Sequence, residues 1–247
     1  MTDRNAARES PDGRPDIARH IGRGELGDTE VVGLDPTRDS VDPHVCDWLR
    51  ELLWDRAVVC VRLEAKLSDD GLRALISMIG TVKDPVGREG GGGDTCFIDM
   101  RAAYDMLDPS EQSLLVGLRA VHSYNNQGAF PPRPPAAGSL DVLVDVAHPV
   151  VRAHPVTGRP ALYFDLDRAT HIEGISVSEG RALLQSLQDH AEHNAPRYSH
   201  AWHPHDVLLW DDAAVQHRAS GDFEVGQPRR FWRYMVTDPR PDAYSPP

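Results

Sequence analysis

The residue with the clearest potential for chemistry is His217, which follows the segment WDDAAVQ (210–216) just past the end of an apolar strand pattern. Arg229, Arg230 and Arg233 come shortly after it in a second strand pattern. A neutral imidazole binds divalent metals, and an arginine holds a carboxylate through two parallel hydrogen bonds. These residue types suit a metal and carboxylate site. A strand-end histidine is more often a hydrogen-bonded core residue, so both interpretations stay open.

The other histidines have simpler interpretations. His148 and His154 each precede a proline in a strand–turn–strand pattern, which is typical of a structural role. Five more follow one another on or just after a helical segment and are interpreted as a scattered surface cluster: His190, His193, His200, His203 and His205. The sequence contains no HExxH, CxxC or GxSxG motif, so the commonest zinc signatures and the nucleophile elbow are absent.

The composition narrows the class of protein. The chain has 247 residues with 26 Lys and Arg against 38 Asp and Glu, a net charge of -12. An acidic chain is a poor nucleic-acid binder, and three cysteines cannot form a disulfide framework. We find no apolar run of membrane-spanning length and no secretory signal. We therefore expect a globular cytoplasmic protein with no membrane partner, and its oligomeric state stays open.

The first half of the chain predicts helices around one buried strand. Asp42 followed by proline is a helix start, and residues 57–63 (AVVCVRL) form a β-branched run typical of a buried strand. Ser68 predicts the cap of a helix that ends at Gly80. Residues 86–94 (VGREGGGGD) are expected to form a flexible glycine-rich loop or a close approach of the backbone, and their spacing does not match a nucleotide-binding loop.

The second half predicts short strands with helices between them. A helical pair with a capping box at Asp108 is expected over 99–119, and a functional Pro-rich loop over 124–147. Short strands with a turn are expected over 148–165, one more helix over 178–193, and the last two strands at 206–210 and 231–236. This pattern favours a mainly β fold with flanking helices (α+β), a β-sandwich or jelly roll. We expect a single domain over 17–237, with tails at 1–16 and 238–247.

Several of these stretches together resemble one known family. The matching segments are GGDTCFIDMRAAYDML (92–107), HPVVRAHPVTGRPALYFD (148–165), ATHIEGIS (169–176), HDVLLWDDAAVQHRA (205–219) and QPRRFWRYMV (227–236). In this order they resemble the TauD/TfdA family of Fe(II)/2-oxoglutarate-dependent dioxygenases. The resemblance covers most of the chain. It implies an oxidoreductase on a double-stranded β-helix, or jelly roll, with Fe(II) and 2-oxoglutarate as cofactors.

The resemblance also implies roles for particular residues. His217 matches the distal histidine of the family's iron-binding triad, which is written HxD followed much later by His. Thr95 matches the threonine that hydrogen-bonds the distal carboxylate of 2-oxoglutarate. Arg230, or its neighbour Arg229, matches the arginine that pairs with that carboxylate. The roles are physically sensible, because a dicarboxylate withdrawn from water needs a cation and a hydroxyl donor.

One part of the family pattern is missing. The HxD pair should lie between Gly80 and Thr95, but the segment TVKDPVGREGGGGDT (81–95) contains no histidine. No histidine occurs anywhere between His44 and His122. Two of the three implied iron ligands are therefore absent, and with them the strand that carries them. We expect a shortened jelly roll and doubtful iron binding, since losing even outer-shell partners weakens metal affinity 10- to 100-fold.

Substitute ligands and substrate contacts are less clearly marked. Acidic or imidazole groups that could replace the lost pair are His122, His171, Asp84 and Asp99. Possible substrate contacts are Tyr124, Asn125, Asn126, His171 and Tyr234. The last of these stands where sulfonate-binding relatives carry a second arginine, so a taurine-type substrate is not expected.

Three hypotheses remain open from the sequence. The first is that the chain is an oxygenase-family enzyme with an atypical metal site, which acts on an unidentified small molecule. Alternatively, it is a non-catalytic pseudoenzyme, a domain that binds a carboxylate or a partner protein. A third possibility is a damaged gene product, which should expose an apolar patch beside the missing segment.

Overall fold

A computed structural model describes residues 18–21, 25–89, 93–123, 145–221 and 230–237, with only the backbone at 18–21, 82–89, 230–232 and 237. Within these residues the fold is mixed α/β. The helices are α1 Pro36–Asp39, α2 Pro43–Arg56, α3 Asp69–Ile79, α4 Met100–Asp105, α5 Pro109–Leu115 and α6 Val177–Asn194. In the part of the chain just defined, no helix is long and apolar enough to cross a membrane.

The strands are short and many. They are β1 Ala18–Ile21, β2 Thr29–Val32, β3 Val58–Arg62, β4 Thr81–Glu89, β5 Thr95–Asp99, β6 Arg119–His122, β7 Val146–Pro149, β8 Val151–Ala153, β9 Pro160–Leu162, β10 Ala169–Ile172, β11 Arg197–His200, β12 Asp206–Trp210, β13 Val215–Ala219 and β14 Arg230–Thr237. The strands expected at 57–63, 206–210 and 231–236 are confirmed.

The helices begin and end where their capping residues predict. The Asp42 carboxylate accepts from the backbone N–H of His44 at 2.9 Å at the start of α2, and Ser68 Oγ accepts from Gly71 N–H at 3.1 Å at the start of α3. Asp108 and Glu111 form a reciprocal capping box at α5. Each cap satisfies backbone N–H groups that the first helical turn leaves without an intrahelical acceptor.

The chain divides into two compact units. The first contains residues 1–97, 198–211 and 217–247, and the second contains residues 98–197 and 212–216. In the first unit a four-stranded sheet has the order β1-β2-β3-β12, with β2 and β3 parallel and the other pairs antiparallel. Side chains from this sheet and from α2 and α3 form one core that includes Val31, Leu49, Val61, Leu75 and Met78.

The glycine-rich segment differs from its expected form. Strand β4 continues through residue 89 because β14 pairs with it antiparallel, from Thr237 opposite Thr81 to Arg230 opposite Glu89. The expectation of a loop is therefore wrong for residues 86–89. Residues 90–92 lie outside the described part of the chain. Pairing with a distant strand supplies backbone hydrogen bonds that local glycine composition does not predict.

The second unit carries two small antiparallel sheets, with the strand orders β10-β6-β7 and β8-β9. Its core contains Ala120, Val150, Leu162, Ile172 and Leu184, the last from α6. The other three-stranded sheet has the order β11-β5-β13, and the boundaries between the two units fall at its strands. This sheet carries two of the residues singled out in the sequence, Thr95 and His217.

Candidate functional site

The register of β5 against β13 sets which side chains share a face. Ser220 N–H bonds to Asp94 O at 2.9 Å, and Met100 N–H bonds to Ala214 O at 3.0 Å. The two strands therefore run antiparallel with residue 97 opposite residue 217. Side chains alternate between the two faces of a strand, so residues 95 and 97 of β5 point to the same face as residue 217.

Aromatic rings surround His217 on this face. The ring centroid of His217 lies 5.1 Å from that of Trp210 and 6.2 Å from that of Phe97. Phe97, which is fully buried, also lies 6.3 Å from the ring of Tyr198. We call Phe97, Tyr198, Trp210 and His217 the aromatic cluster. The half-buried imidazole of His217 thus packs against two aromatic rings of this cluster, Trp210 and Phe97.

Thr95 lies on the same face, beside a loop tryptophan. The indole N–H of Trp202 donates to Thr95 Oγ1 with a donor–acceptor distance of 3.0 Å. The Thr95 side chain is half-buried. The hydroxyl and the His217 imidazole, which the sequence singled out separately, thus project from one face of one sheet.

A buried carboxylate organises the loop that carries Trp202. Asp206, whose side chain is 2% exposed, accepts from His200 Nε2 at 3.1 Å and from the backbone N–H of His203 at 2.9 Å. It also accepts from Arg62 Nη1 at 3.0 Å. We call Arg62, His200, His203 and Asp206 the carboxylate network. Because the carboxylate can only accept, Nε2 of His200 carries the proton, and its Nδ1 accepts from the Tyr198 hydroxyl at 2.8 Å.

Burial shifts the ionisation of the groups around this carboxylate. Burial lowers the pKa of His200 below 6.5, against the opposing attraction of Asp206. Burial and the nearby Asp206 charge raise the pKa of the Cys60 thiol to about 12, and burial raises the pKa of Tyr198 to about 12. All three groups are therefore neutral at pH 7. The charge of Asp206 is balanced by the Arg62 guanidinium, whose pKa is raised by its hydrogen bond to Glu30.

Cys60, His200 and Asp206 place one possible ligand atom each within 4.8 Å of one another. Among the residues that the structure describes, this is the only such group of three, and it does not include His217. The Arg62 guanidinium and the His203 N–H already occupy the Asp206 oxygens. A cation would have to displace or face a fixed positive charge. We therefore interpret the group as a satisfied hydrogen-bond network.

Among the described residues, no group of three possible ligand atoms includes His217. Asp99, one of the possible substitutes, caps α4 by accepting from Arg101 N–H at 2.9 Å and pairs with the Arg101 guanidinium at 2.8 Å. His122 and His171 lie on β6 and β10 of the second unit. Of Asp84, the structure describes the backbone alone.

The remaining predicted site residues are only partly described. Tyr124, Asn125, Asn126 and Arg229 lie outside the described residues. The backbone of Arg230 lies at the start of β14, opposite Glu89. Tyr234 is half-buried on the same strand, opposite Pro85. His171, in the second unit, has its Nδ1 3.0 Å from Thr170 Oγ1, so a hydrogen bond along its own strand accounts for its orientation.

The structure also reveals residues that the sequence interpretation missed. His200, expected in a surface cluster, is 1% exposed and is part of the carboxylate network. Its assignment to the surface is therefore wrong. The signal in the sequence was the segment RYSH (197–200), in which polar Arg197 and Ser199 alternate with the rings of Tyr198 and His200, a strand pattern. By contrast, His154 has the structural role expected, because its Nδ1 accepts from Thr157 N–H at 3.0 Å.

Burial favours the neutral form of two histidines in the second unit, His122 and His148. His122 Nδ1 donates to Ala120 O at 3.0 Å and its Nε2 accepts from Asp165 N–H at 3.2 Å, a pattern that needs the neutral ring. Burial lowers the pKa of His122. Burial, followed by the charges of His122 and its arginine neighbours, lowers the pKa of His148, whose ring lies 5.6 Å from that of His122.

Acidification is therefore expected to destabilise the fold. When a histidine has a folded pKa below its unfolded value of 6.5, the unfolded state binds more protons as the pH falls. The stability that depends on neutral His122 is complete above 6.5 and is lost as the pH falls towards the folded pKa. We expect His122→Asn to reduce the slope of unfolding free energy against pH between about pH 8 and pH 5, measured by urea denaturation. His44→Asn, at an exposed helix position, is the control for the loss of a histidine. A slope that His122→Asn leaves unchanged, or that both variants reduce equally, would contradict the assignment.

Comparison with known proteins identifies the family. The family model described as "Taurine catabolism dioxygenase TauD, TfdA family" matches residues 85–235. The chain belongs to this family. Fe(II) and 2-oxoglutarate are the cofactors that TauD/TfdA membership implies, and the family consists of oxidoreductases.

Two curated relatives show how far the similarity extends. The chain is 39% identical over 148 residues to the alpha-ketoglutarate-dependent 2,4-dichlorophenoxyacetate dioxygenase of Cupriavidus pinatubonensis (strain JMP 134 / LMG 1197), which is 60% of this chain and 51% of the relative. It is 33% identical over 154 residues to the alpha-ketoglutarate-dependent sulfonate dioxygenase of Saccharomyces cerevisiae, 61% of this chain and 37% of the relative. The chain thus matches about half or less of the length of these TauD/TfdA relatives.

A solved structure shares the fold over a larger part of the chain. The crystal structure of AAD-2 in complex with Mn(II) and N-oxalylglycine superposes with a TM-score of 0.73 and 25% sequence identity. The superposition covers 89% of this chain and 96% of that one. The TauD/TfdA resemblance stated from the sequence motifs is therefore confirmed.

Proposed function

We propose that this TauD/TfdA chain binds 2-oxoglutarate by its distal carboxylate, at Thr95 and Arg230, and acts on an unidentified small molecule as an oxygenase-family protein with an incomplete metal site. The observation that carries the proposal is that Thr95 and His217 project from one face of the sheet β11-β5-β13. In the family pattern these two residues belong to the two ends of the cosubstrate, its distal carboxylate and its metal-chelating 2-oxo acid.

The chemistry of the carboxylate end is the better supported part. A carboxylate that leaves water needs charge compensation and hydrogen-bond donors. Thr95 offers a hydroxyl beside the aromatic cluster. Arg230, or Arg229 if the register differs by one residue, offers a guanidinium able to form two parallel hydrogen bonds.

The metal end is the incomplete part. His217 is the one residue of the implied triad that the sequence retains. A single imidazole, a chelating 2-oxo acid and waters leave two protein ligands fewer than the facial triad. We therefore expect Fe(II) to bind much more weakly than in relatives with HxD.

The missing segment also shapes the proposed fold. We propose a double-stranded β-helix that is shortened between Gly80 and Thr95, within one domain over residues 17–237. The 89% coverage by the AAD-2 superposition supports a family fold around this gap. The side chains that would reveal an exposed apolar patch, at residues 82–92, are outside the described set.

The substrate is proposed by class alone. The relatives' names mention a phenoxyacetate and a sulfonate. Tyr234, where sulfonate-binding relatives place an arginine, offers no cation to a sulfonate, so we favour a substrate other than taurine. Tyr124, Asn125, Asn126 and His171 remain the proposed further contacts.

A second candidate function is a non-catalytic 2-oxoglutarate-binding protein on the same fold. One observation favours it: among the described residues, no group of three metal-ligand atoms contains His217. Both candidates bind the carboxylate of 2-oxoglutarate at Thr95 and Arg230. They differ in whether a metal binds at His217.

An anaerobic titration separates the two candidates. Fe(II) is added to the protein with saturating 2-oxoglutarate, and the visible charge-transfer band is followed. We expect a saturable band that requires high Fe(II) and disappears in His217→Ala. Binding of 2-oxoglutarate without any band would support the non-catalytic candidate instead. A chain that does not bind 2-oxoglutarate at all, with or without metal, would refute both.

A further inference from the structure

Trp202 contacts the very hydroxyl that the proposed function assigns to the ligand carboxylate. Its indole nitrogen lies 3.0 Å from Thr95 Oγ1. An indole N–H only donates, so the threonine oxygen is the acceptor in this bond. The bond uses a lone pair of Oγ1, and the hydroxyl proton must therefore point towards a different acceptor.

This arrangement makes Thr95 a better donor. A hydroxyl that already accepts one hydrogen bond is polarised, which strengthens the bond it donates by roughly 10–30%. The indole also fixes the position of the hydroxyl oxygen, because an oxygen in another rotamer would lose the Trp202 bond. A fixed donor loses less conformational freedom when a ligand arrives.

The carboxylate network holds Trp202 in its place. The rings of Trp202 and His200 meet edge to face, at 4.8 Å and 90°. His200 is fixed by Asp206, and the same carboxylate accepts from the backbone N–H of His203. One buried carboxylate therefore anchors the chain on both sides of Trp202.

We propose that Trp202 is a positioning residue for the dicarboxylate ligand, which sets the Thr95 hydroxyl as a donor to the ligand's distal carboxylate. The inference rests on the proposed function, because it requires that Thr95 binds this carboxylate. Trp202 thereby contributes to ligand binding although it contacts neither the metal nor the carboxylate. This role explains why the carboxylate network holds a loop tryptophan in place.

A double-mutant cycle on 2-oxoglutarate affinity tests the proposal. The wild-type chain, Trp202→Phe, Thr95→Val and the double variant are compared by equilibrium dialysis with labelled 2-oxoglutarate. We expect Trp202→Phe to weaken binding about fivefold and Thr95→Val about tenfold, while the double variant is no weaker than Thr95→Val alone. Trp48→Phe, at a half-buried helix position, should bind as the wild type does.

Each other outcome overturns a defined part of the argument. An equal loss from Trp202→Phe in the wild-type and Thr95→Val backgrounds would show that Trp202 does not act through the hydroxyl, and an unchanged affinity would show that it does not act on binding. Wild-type affinity in Thr95→Val would refute the Thr95 contact itself. A wild-type chain without 2-oxoglutarate binding would refute the proposed function and this inference together. If Trp202→Phe fails to fold by circular dichroism, Trp202→Tyr removes the indole N–H while keeping a ring against His200.

Discussion

Replacing Asp206 by alanine is expected to lower the free energy of unfolding by about 3 kcal/mol or more. The substitution removes the shared acceptor of His200 Nε2, the His203 N–H and the Arg62 guanidinium. His200 lies in a fully buried position, where a polar group without a partner costs the most. Urea denaturation at pH 7 measures the change.

Two further variants sharpen this prediction. Asp206→Asn keeps the shape but loses the charge that faces Arg62, so it should recover only part of the loss. Asp189→Ala removes an exposed aspartate from α6 and should change stability by no more than about 0.5 kcal/mol. If the Asp206 and Asp189 variants were equally stable, the carboxylate would not organise the loop.

Replacing Arg230 by alanine is expected to weaken 2-oxoglutarate binding about 100-fold. Truncating one partner of a desolvated charge pair typically costs 2–5 kcal/mol, because the remaining charge stays without compensation. Thr95 alone supplies a neutral hydrogen bond, whose net contribution of about 1 kcal/mol cannot replace the cation. Calorimetric titration with 2-oxoglutarate gives the affinity directly.

The neighbouring arginine serves as a parallel test. The family resemblance leaves a one-residue ambiguity, so Arg229→Ala is measured beside Arg230→Ala. We expect the large loss in Arg230→Ala and a change below threefold in Arg229→Ala. Arg218→Ala, at an exposed position of β13, controls for the loss of one positive charge. Undiminished affinity in both arginine variants would refute the carboxylate assignment.

Elements with local signals could be predicted from the sequence. A capping side chain, an apolar helical stripe and a terminal glycine all act within a few residues, so the helix from Ser68 to Gly80 needed no knowledge of the remaining chain. The strand 206–210 was equally clear, because a short apolar run of this length is itself a local signal for a buried strand. The turn between the helical pair followed from Asp108 in the same way.

Features that depend on distant pairing could not be predicted. The glycine-rich segment extends as a strand through residue 89 only because residues 230–237 bond to it. His200 is buried where Asp206 accepts from its Nε2, and Asp206 itself is placed by the pairing of β12 with β3, which is distant in the sequence. The shared face of Thr95 and His217 depends on the β5 and β13 register, which the family resemblance implied but residue types alone did not.

The pairing of β4 with β14 has a consequence for the order in which the chain folds. Thr81 meets Thr237, and β3 meets β12, so the first unit is closed by segments far apart in sequence. Most of the second unit, residues 98–197, is continuous. Contacts between distant segments form slowly, because a long loop must close first. During synthesis the second unit can therefore acquire its structure while β4 still lacks its partner, because β14 is synthesised after residues 98–197.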